Sequence, residues 1–231
     1  MKVRIKFEKQ GRLRFIGHLD VMRYFQKLNR RAQLNVKYSA GFSPHQEMSF
    51  ATPLGLGLTS SAEYADIEFI EVPHKAELIE KMNAVNVPEM RITEACLLPD
   101  DAKNAMSLLA AADYTLTFRE GHEPEDPEGF LNALIEFYGQ EEIIVEKQTK
   151  TNTVTVDLKK QIRILEKREG ALFMQVDTGS HSNLKPELVI STFCERTGRE
   201  YDPYLFCINR DELYGEADGR LIRLIDYGTD F

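Results

Sequence analysis

Three residues that could move protons or hold a metal ion fall within one short basic stretch: His18, Asp20 and His45. Converging near Arg12 and Arg23, they could form an acid–base set or a metal site. The plainer reading places Asp20 at the positive end of a helix, where a carboxylate is favoured, and gives His18 a hydrogen bond to a neighbouring loop. H-x-D has no ligand spacing as diagnostic as H-E-x-x-H, so both readings stay open. A second set suits an anion: Arg12, Arg14, Arg23, Arg30 and Arg31, with Tyr38, Phe42 and Phe50 flanking the loop that carries Gly41, Pro44 and His45. Arginines meet phosphates, and aromatic rings on a basic surface stack on unpaired bases; alternate aromatics also fill sheet cores. The run PLGLGLTSS at 53–61 lacks the third glycine and the helix of a nucleotide cradle, and reads as a tight turn.

These residues sit in an unusual charge environment. Residues 1–50 hold eleven basic and three acidic side chains, a net +8, whereas residues 51–231 hold 18 basic and 34 acidic ones, a net −16. Such asymmetry points to an anionic partner for the basic part, and the plainer alternative is a solvated face. The acidic remainder disfavours a non-specific nucleic-acid coat. Glu63 and Asp66 are expected to pair with Arg23 or Arg30. Cys96, Cys194 and Cys207 are widely spaced in apolar runs and read as buried thiols of a reducing compartment. No apolar run approaches the ~20 residues of a membrane span, and the N-terminus alternates instead of forming an apolar block, so a cytoplasmic protein without membrane contact is expected.

The elements that must position these groups follow from periodicity. KVRIKFE at 2–8 alternates, with Val3, Ile5 and Phe7 on one side, as a half-buried strand does. A helix is predicted over His18–Ala32, with a stripe of Leu19, Met22, Phe25 and Leu28 inward and Arg23, Lys27, Arg30 and Arg31 outward. Strand-like NVKYS, MSFA and AEYADIEFIEV, a helix at 75–86 and a strand at 90–98 complete β-α-β-β-α-β. The second half offers strands at 113–119, 171–176 and 204–214, strand-like stretches at 142–148 and 153–165, and helices at 127–139 and 186–197. The expected fold is α+β: two tandem ferredoxin-like lobes with antiparallel sheets, at 1–99 and 113–231, joined by a linker helix at 100–112.

The motifs R-L-R-F-I-G-H-L-D-V-M-R (12–23), K-Y-S-A-G-F-S-P-H (37–45) and S-F-A-T-P-L-G-L-G-L-T-S-S-A-E-Y (49–64) resemble a bacterial family of radical-SAM-linked proteins of unknown function. The resemblance is densest over 11–68, with echoes in V-D-L-K (156–159) and I-N-R (208–210). Gly17 departs from the Ser expected before His-Leu-Asp, which weakens a capping role. Members of that family are fused to, or encoded beside, a B12-binding radical SAM protein, so the resemblance implies a radical SAM protein as partner. The chain lacks C-x-x-x-C-x-x-C and is not itself a radical SAM enzyme.

Three functions fit this reading. The first is an accessory protein, not catalytic on its own and without a cofactor or metal, that binds RNA or a ribosome-related substrate. The second is a metal-independent RNA-processing enzyme with His18 as base, resembling the tandem ferredoxin-like CRISPR RNA endonucleases. The third is a purely protein-binding module that docks on the radical SAM enzyme. In the second half, Asp157, Lys160, Arg163 and Arg210 stand out, and His181 lies in a Gly-Ser loop, but they form no recognisable catalytic set.

Overall fold

The computed structural model describes residues 1–148 and 153–231. It is α+β with mostly antiparallel sheet, and the chain divides into two compact units: residues 1–110 with 210–231, and residues 111–209. The expected division kept 210–231 with the second lobe, whereas in the structure these residues pack with the first.

Unit 1 begins with β1 (Lys2–Lys9), α1 (His18–Arg31), β2 (Met48–Phe50), β3 (Thr59–Glu68), α2 (Lys75–Ala84) and β4 (Ile92–Leu98). The strand order is β4-β1-β3, with β2 on the other edge of β3, and all these pairs are antiparallel. This is the ferredoxin-like arrangement. Pairing Val3 with Ile67 and Ile5 with Ala65 puts one apolar face under both helices, where Val21, Phe25 and Leu28 of α1 and Leu78 and Met82 of α2 are buried. The phase of α1 differs from expectation: Val21 is in the core and Leu19 is 65% exposed. At 100° per residue, Val21, Phe25, Leu28 and Ala32 share a stripe, and Leu19 falls on the opposite side of the first turn.

NVKYS does not form a strand. Val36 and Tyr38 make single bridges, to Phe69 and Gln46. The linker segment contains one short helix, α3 (Ala105–Leu108). Later residues then complete unit 1. β10 (Phe206–Ala217), from Arg210 onward, and β11 (Arg220–Arg223) form a hairpin, and Thr229 bridges Leu97 of β4.

Unit 2 repeats the order with β5 (Leu109–Phe118), α4 (Pro127–Phe137), β8 (Ile162–Arg168), β9 (Ala171–Asp177) and α5 (Pro186–Arg196). Its strands run β5-β9-β8, antiparallel, and a separate hairpin of β6 (Ile144–Gln148) and β7 (Thr153–Asp157) is inserted after α4. The strand-like stretch from 153 to 165 is broken by a 3-10 turn at Leu158–Gln161, in which the Lys159 amide donates to Asp157 Oδ1. Phe118 stacks on Phe206 at 4.7 Å, and Phe130 and Phe137 both meet Phe193. All three cysteines are free thiols; Cys96 and Cys194 are buried, while Cys207 is only half-buried, against expectation.

Candidate functional site

The basic residues of the first fifty fall into two groups once the strands pair. Those on β1 that point away from the helices are consumed internally. Arg4 lies opposite Asp66 and bonds it at 2.7 and 3.0 Å, while also donating to the carbonyls of Leu224 and Lys103. Lys6 bridges Glu94 at 3.1 Å and Glu212 at 2.8 Å, and Lys37 bridges Glu47 and Glu68, both at 2.8 Å. The two carboxylates hold the Lys37 ammonium above the ordinary lysine range, chiefly through their hydrogen bonds. Most of these partners lie beyond residue 50, so the +8 of the sequence is not a +8 surface. Asp66 is thus spent on Arg4 and Glu63 on Arg210, not on Arg23 or Arg30.

The second group stays outside. After β1 the chain makes a 3-10 turn at Gly11–Phe15 in which no residue is buried. Gly11 takes φ +55°, and the Gly57 amide donates to the Arg14 carbonyl, tying the 53–58 loop to the turn. Arg12 is exposed, and the Arg14 guanidinium sits 4.8 Å from the centroid of the Phe15 ring, itself 63% exposed. Along α1, Arg23 pairs with Asp20 at 3.5 Å in solvent, and Lys27, Arg30 and Arg31 are exposed. Arg30 donates to the Gln26 carbonyl of its own helix. Among the described residues Arg12, Arg14, Lys27, Arg30 and Arg31 have no carboxylate partner within ion-pair distance.

The 38–45 loop borders the later turns of α1. Buried Gln46 accepts from Asn29 Nδ2 at 2.9 Å, and its Nε2 reaches the Gln26 carbonyl and the Tyr38 hydroxyl, each at 3.2 Å. Tyr38 is about half-exposed, and Phe42 is fully exposed beside Gly41, whose φ is +113°. His45 Nδ1 lies 2.9 Å from Ser39 Oγ. His18, by contrast, sets its ring edge-on to Phe50 at 5.6 Å. Among the described residues no three His, Cys, Asp or Glu side chains are grouped to hold a metal ion.

Behind His18 lies a charged cluster that the sequence did not advertise. Lys9 is 3% exposed and donates to the Ile16 carbonyl at 3.0 Å; Glu63 and Arg210 form a buried ion pair with contacts of 2.6 and 2.9 Å. Burial lowers the Lys9 amine below the ordinary lysine range; Glu63 opposes that shift and Arg210 adds to it. The void lined by Phe7, Lys9, His18, Phe50, Thr52 and Glu63 is about 10 Å³, the lower limit for holding a single water. It can hold the interior in place but cannot admit a substrate.

Unit 2 holds another pair that the sequence hid: His122 Nδ1 lies 2.6 Å from Asp202 Oδ2, across 80 residues. That bond holds the Asp202 carboxyl below its usual range. An open depression of about 570 Å³ is lined by Phe137, Ile143, Ile144, Glu142, Thr155 and Arg196. Lys160 lies 3.5 Å from Asp157, and Arg163 bonds Asp177 at 2.9 Å.

Comparison with known families matches residues 2–186 to one described as "Uncharacterized protein conserved in bacteria (DUF2344)". The chain belongs to this family. The description names neither a radical SAM protein nor a ligand. No curated protein matches. Among solved structures, the chain is similar to one in the crystal structure of a Cbf5-Nop10-Gar1 complex, at 13% identity and a TM-score of 0.46, over 94% of this chain and 50% of that one. The chain thus spans half the length of that match. No helix among the described residues is long and apolar enough to cross a membrane.

Proposed function

We propose that this DUF2344 chain is an accessory RNA-binding protein whose first unit meets RNA phosphates through the 3-10 turn and the outer side of α1. The supporting observation is the division of the basic side chains: Arg4, Lys6 and Lys37 are paired with carboxylates, whereas Arg12, Lys27, Arg30 and Arg31 are exposed and, like half-buried Arg14, have no carboxylate partner among the described residues. Buried charges need partners, but exposed ones without a carboxylate are available to an anion. Arginine suits this role because its planar fork matches phosphate oxygens. The resemblance to radical-SAM-linked proteins adds the partner, a separate radical SAM protein to which the RNA or ribosome-related substrate is presented.

The test is RNA affinity as a function of salt. Arg30→Glu with Arg31→Glu should weaken binding at low salt and reduce the slope of log affinity against log salt by about 0.7 per lost single-strand phosphate contact. A wild-type protein without salt-dependent affinity for any RNA overturns the reading. The protein-docking reading has its own support: Leu19 and Leu56, 65% and 66% exposed, flank the same turn and offer apolar surface that phosphates do not use. It predicts that a radical SAM protein is retained on the wild type and lost on the charge-reversed variant.

A further inference from the structure

Among the described residues, Phe15 and Phe42 are the only two exposed phenylalanines of the chain's thirteen. Phenylalanine is among the side chains most often buried, so two rings left in water near one element are informative. Phe15 ends the 3-10 turn, three residues before α1 begins. Phe42 sits in the loop that Gln46 fastens to Gln26 and Asn29, in the second half of α1. The helix between them is 14 residues long, about 21 Å, and carries Arg23, Lys27, Arg30 and Arg31 on its outer side.

Both rings sit on constrained segments. Arg14 holds its guanidinium 4.8 Å from the Phe15 ring centroid, a cation–π contact that limits the ring's rotamers while leaving most of it in solvent. Around Phe42 the loop is closed by the Ser39 amide donating to the His45 carbonyl and by the His45 amide donating to Ser39 Oγ. A segment constrained in advance loses less freedom on binding.

We propose that the ligand of this surface is single-stranded RNA, with one unpaired base stacked on Phe15, another on Phe42, and the backbone between them following the basic side of α1. The proposal rests on the RNA-binding reading above and adds strandedness to it. A duplex keeps its base faces covered and is recognised through shape, phosphates and 2′-hydroxyls, to which an isolated phenyl ring adds little. Positive charge that tracks the backbone, with aromatic rings spaced along it, is the pattern that binds single strands.

The experiment compares a single-stranded oligoribonucleotide of mixed sequence with a hairpin duplex of equal length, by fluorescence anisotropy over a range of salt. The wild type should prefer the single strand. Phe42→Ala and Phe15→Ala should each weaken single-strand binding by about tenfold, leave duplex binding unchanged, and leave the salt slope unchanged, because stacking releases no counterions. Phe42→Tyr should restore most of the loss. Both rings are exposed, so circular dichroism of these variants should match the wild type. Equal affinity for both RNAs, or alanine variants that bind as well as the wild type, would sink the single-strand assignment while RNA binding stands. Absence of salt-dependent binding to either RNA removes both conclusions and leaves the protein-docking reading.

Discussion

Arg4 and Asp66 face each other across β1 and β3, and each is so deeply buried that its charge has no recourse but the other. The remaining donors and acceptors are also used: Arg4 reaches the carbonyls of Leu224 and Lys103, and Asp66 accepts from the Ala105 amide at 2.8 Å. One ion pair therefore fastens β1, β3, α3 and the 224–227 turn of unit 1. Asp66→Ala strands the guanidinium and should cost about 3–5 kcal/mol in chemical denaturation, whereas Arg4→Met with Asp66→Leu should cost far less. Equal losses in the single and double variants would show that the charges themselves are not what matters.

The altered phase of α1 separates two leucines. Leu28→Ala opens a cavity under the sheet and should destabilise by about 2–5 kcal/mol. Leu19→Ala should stay within about 0.5 kcal/mol of wild type, since its side chain already lies in water. Urea denaturation of both variants checks the order.

Thiol reactivity should rank the cysteines. Burial pushes the Cys96 thiol up to about 11, so at pH 8 it is almost wholly protonated, and burial raises the Cys194 thiol as well; both are shielded from solvent. Cys207, half-buried, should be labelled first in the native protein. Mass spectrometry after brief alkylation reads the order, and fast modification of Cys194 would contradict this packing.

Asp157 gives unit 2 a pH dependence of definite sign. Its Oδ1 accepts from the Ile143 amide at 2.9 Å and the Lys159 amide at 3.1 Å, and these bonds, the first above all, hold its carboxyl below the usual range. A carboxyl with a lowered folded-state pKa adds stability that is fully present above its unfolded value, about 3.9, and is lost as pH falls through the folded value. The difference in melting temperature between wild type and Asp157→Ala should be constant above about pH 5 and shrink below pH 4. A gap that widens in acid would refute this origin.

His18→Ala should leave RNA affinity and its salt slope unchanged, since His18 sets its ring edge-on to Phe50 and is not among the outer cations. RNA incubated with wild type should come back uncut. Cleavage that disappears in the variant would revive the nuclease reading.

Local periodicity carried much of the fold. Val3, Ile5 and Phe7 announced β1 by alternation, and the 3.6-residue rhythm announced α1, because each is a pattern within one element. The same pattern left the phase of α1 one step adrift, since a leucine in the first turn is indistinguishable by type from one in the stripe. The exposed arginines could be named from sequence, but which basic residues were already spoken for could not. Arg4–Asp66, Arg210–Glu63 and Lys6–Glu212 span 62, 147 and 206 residues, and pairing across a sheet leaves no trace in local order. Phe15 was legible as a letter and illegible as a surface, because only the turn that strips it of neighbours makes it available.

The return of residues 210–231 to the first unit sets a timetable for synthesis. At about 5–20 residues per second, the strands laid down first wait roughly 10–40 s for β11 and for the Leu224 carbonyl that Arg4 requires. Until then the Arg4 guanidinium and the edges of β3 and β4 have no full complement of partners, and the nascent first unit presents just the unpaired strand edges that chaperones recognise. The second unit, contiguous over 111–209, can close before the first has finished.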